Sequence, residues 1–123
     1  MEELAKRAVA SPHWRWMPGM LGLSVSAEAG LWRVEQADLT ALSGAGAGPA
    51  SIHEVGVWLP DLSDPATLGC LLALVREAWG CDSLTCQPLL PLVGVHGWRV
   101  VGTSAQSDNT EAAALVAALE AAP

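Results

Sequence analysis

"DLSDPATLGCLLALVREAWG", residues 61–80, is the stretch whose reading decides the fold. Asp64 is a good N-cap residue, and Pro65 falls at the first helical position, where its missing N–H costs nothing. Leu68, Leu71, Leu72, Val75 and Trp79 then recur at the i, i+3, i+4, i+7, i+11 spacing of a core-facing helix. Gly80 is well placed to end it. The stretch predicts a helix over 64–80 with Leu68, Leu72 and Val75 on its buried face.

Working backwards, "VGVWLP" (55–60) reads as a short strand stopped by Pro60. Residues 41–54, "ALSGAGAGPASIHE", carry many glycines and no periodicity, which predicts a flexible loop rather than a domain boundary. "LGLSVSA" (21–27) and "LWRVEQA" (31–37) alternate apolar with polar or small residues and predict a hairpin through "EAG". Pro18-Gly19 marks a turn, and "EELAKRAVAS" (2–11) fits a short helix ended by Pro12. Leu4, Ala8 and Val9 make the apolar side of that helix, with Glu2 and Glu3 at its positive end.

Working forwards, "CDSLTCQP" (81–88) reads as a loop, and "LLPLVGV" with "WRVVGTS" as a second hairpin turning at His96-Gly97. "DNTEAAALVAALEAAP" (108–123) is a helix with a capping-box pattern at Asp108 and Glu111. Its apolar stripe is Ala112, Leu115, Val116 and Leu119. The order α, ββ, β, α, ββ, α predicts one α+β domain over 1–123, an antiparallel sheet flanked by helices as an α/β/α sandwich.

Composition excludes several function classes. Half the 123 residues are hydrophobic (51%), so a packed core is expected. No apolar run is long enough to span a bilayer, and the charged first ten residues lack the apolar stretch of a signal peptide. A cytoplasmic protein is the expectation. Six basic against thirteen acidic residues give a net charge of −7, and Lys6-Arg7 is the only adjacent basic pair. Polymeric nucleic acid and anionic membranes need clustered cations and are therefore not expected partners. A small anion remains open, since one or two arginines suffice. Three cysteines do not read as a disulfide framework; Cys81 and Cys86 would bridge only in an oxidising compartment. Two cysteines and scattered histidines fall short of a metal site.

The chain has no Phe and no Tyr, yet "HWRWMPGM" (13–20) places two of its six tryptophans around an arginine. In an extended segment Trp14 and Trp16 share one face, and His13, Arg15 and Met17 the other. The tryptophans either close the core beneath the first helix or join Arg15 and Met17 in a ligand face. Indoles stack on bases, and a guanidinium meets phosphate or carboxylate in a fork. In "PDLSDPAT" (60–67), Asp61 and Asp64 either serve the turn and cap or accept hydrogen bonds from ribose hydroxyls or an amine. In "GTSAQSD" (102–108), Thr103 and Ser104 either build the turn or read a ligand's polar edge.

Catalysis has no comparable pattern. There is no G-x-S-x-G elbow, no Cys near a His in sequence, and no dinucleotide fingerprint. "GAGAGP" (44–49) lacks the Lys and the strand-to-helix context of a P-loop. Neither an enzyme nor a cofactor is expected.

Four stretches together resemble the phage ABA-sandwich domain, a group of small phage and prophage proteins. They are "LAKRAVASPHWRWMPGM" (4–20), "LPDLSDPATLGCLLALVREAWG" (59–80), "WRVVGTS" (98–104) and "EAAALVAALEAAP" (111–123). The resemblance implies an α/β sandwich of phage origin and supplies no catalytic residues; the segment 36–54 lies outside it. Compact phage proteins include sponges that bind nucleotide-derived alarm signals without destroying them. The expected function is thus non-enzymatic sequestration of a small anionic, nucleotide-like ligand in the host cytoplasm. Trp14, Arg15, Trp16, Met17, Asp61, Asp64, Thr103 and Ser104 are the candidate binding residues. The alternative is a protein-binding inhibitor or adaptor that docks on a host protein, for which Trp and Arg are equally good anchors. The apolar content and the six separated tryptophans also predict a homo-oligomer.

Overall fold

Three helices flank two antiparallel sheets in the computed structural model, which describes residues 2–24, 31–34, 40–43, 50–51, 58–89, 97–103, 106–107 and 110–123. In chain order the elements are α1 (Glu2–Ala10), β1 (Leu21–Ser24), β2 (Leu31–Val34), β3 (Thr40–Ser43), β4 (Ala50–Ser51), β5 (Trp58–Pro60), α2 (Pro65–Trp79), β6 (Thr85–Pro88), β7 (Trp98–Val101), β8 (Gln106–Ser107) and α3 (Glu111–Ala121). The first sheet runs β4-β3-β2-β1-β5 and the second β6-β7-β8. The fold class is the predicted α+β, with its strands divided between two sheets instead of one.

The first sheet begins at the predicted Pro18-Gly19 turn. Gly19 adopts φ +98°, a conformation that side chains resist, and its N–H donates to Val34 O at 2.7 Å. β1 and β2 then pair as the alternation predicts, with Leu21 opposite Arg33 and Leu23 opposite Leu31. β5 adds to the other edge of β1, Leu59 opposite Leu23. Two strands, β3 and β4, lie in or overlap the 41–54 stretch expected to be loop. β3 lines up on β2 through Trp32–Ser43, Arg33–Leu42 and Val34–Ala41. Nothing in the alternation of these residues announces a strand; a neighbouring ladder organises them.

The segment 81–88, also expected to be loop, carries β6. β7 pairs with it, Thr85 opposite Val101 and Cys86 opposite Val100, so the strand partner of "WRVV" is 85–88. The expected partner, 89–95, falls almost wholly outside the described residues. Pro88 is tolerated because it ends an edge strand.

α2 forms between the predicted caps. The Asp64 carboxylate accepts from Thr67 N at 3.0 Å, and Gly80 ends the helix at φ +64° with its N–H directed to Arg76 O and Glu77 O. The buried face is displaced from the expected stripe. Thr67, Leu71, Leu74 and Val75 are buried, whereas Leu68, Leu72 and Trp79 are half-buried. The cause is Thr67: its hydroxyl donates to Asp64 Oδ2 (2.8 Å) and accepts from Leu21 N (2.8 Å). A fully satisfied polar group thereby joins the core and draws its own side of the helix inward.

α3 is the element around which the rest is arranged. It packs against α1, α2 and all three strands of the second sheet, while α1 also covers β5. Ala112, Ala114, Leu115, Val116, Ala118 and Leu119 are all buried, so the predicted stripe is buried within a helix that is apolar nearly all round. Its cap is Thr110, whose Oγ1 accepts from Ala113 N at 3.1 Å; Glu111 is the first helical residue, not the third. Asp108, the predicted cap, lies outside the described residues. No helix among the described residues is long and apolar enough to cross a membrane.

Candidate functional site

The stretch 11–17 crosses from α1 to the first sheet over the C-terminal half of α2. Trp14 N donates to Ser11 O at 3.0 Å and His13 N to Ser11 Oγ at 3.2 Å, which stops the helix and extends the chain. Trp14 and Trp16 meet edge to face, with centroids 5.5 Å apart and planes at 84°. This agrees with the expectation that they share a face. Both are half-buried against the core, and Arg15 between them is exposed. Met17 packs on the core instead of standing beside Arg15.

Beside Arg15 lies a cleft of about 430 Å³, walled by Pro12, His13, Trp14 and Arg15 on one side and Leu74, Glu77 and Ala78 of α2 on the other. Spacing of three and four places the last three residues on one helical face. Arg15 Nη1 donates to Glu77 Oε1 at 2.6 Å across the cleft. This contact raises the guanidinium's pKa and lowers that of the Glu77 carboxyl. Both side chains are more than half exposed, 52% and 59%, so the pair stands in water and its worth is small. Trp14 Nε1 is buried with no hydrogen-bond partner among the described residues. Such a donor ordinarily finds one.

Asp61, Asp64 and Thr103 lie away from the cleft and are occupied. Asp61 Oδ1 accepts from Ser63 N at 3.0 Å and from the Ser63 hydroxyl, closing the turn before α2. Asp64 caps α2 and receives Arg33 through both carboxylate oxygens at 3.0 Å, and Arg33 also donates to Gly19 O at 2.7 Å. Arg33 is the main cause that holds the Asp64 carboxyl at about 2, far below the usual carboxylate range. Thr103 Oγ1 donates to Val100 O at 3.0 Å, and Ser104 lies outside the described residues. The cleft therefore unites Trp14 and Arg15 of the eight predicted residues.

The remaining cations sort in the same way. Lys6 pairs with Glu2 and Glu3, Arg7 with Glu120, and Arg76 donates to Leu84 O at 2.8 Å. The Arg99 guanidinium makes no ion pair or hydrogen bond among the described residues, and it does not line the cleft. His13 is the histidine the cleft contains. Among the described residues no group of three or more His, Cys, Asp or Glu side chains gathers in a way that could hold a metal. Cys70, Cys81 and Cys86 are free thiols.

Glu77 and Leu74 were not anticipated as site residues. Their only sequence signal is the i, i+3, i+4 spacing of Leu74, Glu77 and Ala78, which becomes meaningful once the buried face of α2 is known. The chain matches no family model, no curated protein and no solved structure.

Proposed function

We propose that the chain is a phage-encoded, non-enzymatic binding protein that sequesters a small nucleotide-derived signalling ligand. The phage origin and the anti-defence role rest on the resemblance drawn from the sequence. What supports the ligand is one observation: a concave cleft, within the usual size range for small-molecule sites, sets a guanidinium beside an indole over an aliphatic floor. A phosphate would take Arg15 from Glu77, exchanging one carboxylate contact for several charged oxygens. A base or sugar would lie along Trp14 and Ala78. Glu77, once released, offers an acceptor to N–H groups on the ligand.

Calorimetry with cyclic dinucleotides and ADP-ribose derivatives tests this reading. Arg15→Ala is expected to weaken binding roughly ten- to a hundredfold, about 1.5–3 kcal/mol for a lost charge-assisted contact. Circular dichroism of the variant should match the wild type. Failure of every compound to bind wild-type protein would remove the ligand reading.

The docking alternative has an observation of its own. Leu23 and Leu31, directly opposite each other on β1 and β2, are 40% and 46% exposed. A host protein or a second copy could cover them. Light scattering that gives the monomer mass of 12.7 kDa at tens of micromolar would set the second copy aside.

A further inference from the structure

On the far side of Pro12 lies a second cleft of about 270 Å³, lined by Arg7, Ala10, Ser11, Pro12 and Glu120. Pro12 walls both clefts, so the two are neighbours across a single residue. The second is smaller than the roughly 300 Å³ at which independent small-molecule sites begin, yet ample for one phosphate. It repeats the furniture of the first. Arg7 of α1 donates to Glu120 of α3 through Nη2 at 2.5 Å and Nε at 3.3 Å, as Arg15 donates to Glu77 of α2. In both pairs a guanidinium is tied to a helical glutamate, Arg7 from α1 and Arg15 from the stretch after it, and in both the arginine is about half exposed, 54% and 52%.

We infer that the two clefts form one two-point site for a compact ligand with two separated phosphate groups, one at Arg15 and one at Arg7. The inference rests on the binding function proposed above and adds to it the second anchor and the class of ligand. Each arginine is held in place by a glutamate that an incoming phosphate replaces. The Arg15–Glu77 pair is a single exposed contact whose exchange costs little, whereas Arg7 meets Glu120 through two nitrogens and two oxygens, so a phosphate must replace that fork with one of its own. The Ser11 hydroxyl, in the lining of the second cleft, is a further donor for the linking sugar. Two such contacts on one ligand reinforce each other, because the second forms within an already bound complex. A ligand with a single phosphate gains one of them only.

The test is calorimetry of the full chain with AMP, which carries one phosphate, and cyclic di-AMP, which carries two phosphates apart. Wild type, Arg7→Ala, Arg7→Lys, Glu120→Gln and Arg15→Ala are compared. Cyclic di-AMP should bind wild type at least tenfold more tightly than AMP. Arg7→Ala should abolish that advantage, bringing cyclic di-AMP down to the affinity of AMP, Arg7→Lys should restore part of it, and Glu120→Gln should tighten cyclic di-AMP several-fold. If Arg15→Ala weakens cyclic di-AMP but Arg7→Ala does not, the two-point site is wrong and the single-cleft reading stands. If cyclic di-AMP does not bind wild type, the two-point site is wrong; the binding reading itself falls only if the wider set of cyclic dinucleotides and ADP-ribose derivatives also fails.

Discussion

Two arginine–carboxylate pairs anchor the ends of the same helix, and they have opposite characters. At the N-terminus of α2, Arg33 grips both oxygens of Asp64, which is only 13% exposed and also caps the helix. Near the C-terminus, Arg15 reaches Glu77 through one nitrogen and one oxygen, and both side chains stand mostly in water. The first pair joins β2, the Gly19 turn and α2, so losing it disturbs three segments. The second joins two walls of a cleft, and its loss leaves each wall supported by its own apolar contacts. Charge type does not distinguish a structural lock from a displaceable contact. Burial and the number of shared partners do.

The comparison breaks most severely if the helix that carries both carboxylates loosens. Leu74 is 1% exposed in the core and also forms the cleft floor. Leu74→Ala is expected to cost about 2–5 kcal/mol in chemical denaturation, more than Leu72→Ala, because Leu72 is only half-buried. An equal or larger loss at Leu72 would show that the buried face lies where the sequence stripe put it.

Asp64→Ala removes a cap and a charged pair together and should cost about 2–3 kcal/mol. Glu77→Ala should leave the denaturation midpoint close to that of wild type, because its pair with Arg15 stands in water. Comparable losses from the two would erase the distinction.

Acid titration sharpens it. Because the folded Asp64 carboxyl ionises at about 2, below its ordinary value of 3.8, its contribution is intact above about pH 4. That contribution is lost as pH falls through 2. It amounts to about 2 kcal/mol, reduced by the solvent exposure of Arg33. In Arg33→Met the Asp64 carboxyl, followed by NMR, should titrate higher than in wild type, because the largest cause that lowers it is gone and burial then opposes the remaining hydrogen bonds from Thr67. The smallest effect is on ligand-free Arg15→Ala, whose denaturation midpoint should barely move.

The parts of the fold legible in the sequence are those that local chemistry determines. α2 carries its own stop signals, Asp64 and Gly80, and β1 and β2 carry their own alternation. β3, β4 and β6 do not; they become strands because a neighbour offers a ladder, and no local pattern records a neighbour. The buried face of α2 is not legible in its apolar spacing, because Thr67, a polar residue, joins it. At the site, Trp14 and Arg15 stood out by composition. Glu77 did not, since its role depends on a contact between residues 62 positions apart.

The position of α3 in the chain has a consequence for folding during synthesis. The helix that contacts α1, α2 and the second sheet begins at residue 111, after every one of its partners. As the chain leaves the ribosome, those partners emerge with their apolar sides uncovered and wait for the piece that fills the space between them. Consolidation is therefore expected as one late, cooperative event, not strand by strand. Until it occurs, the unfinished chain depends on speed, or on chaperones, to avoid sticking to its neighbours.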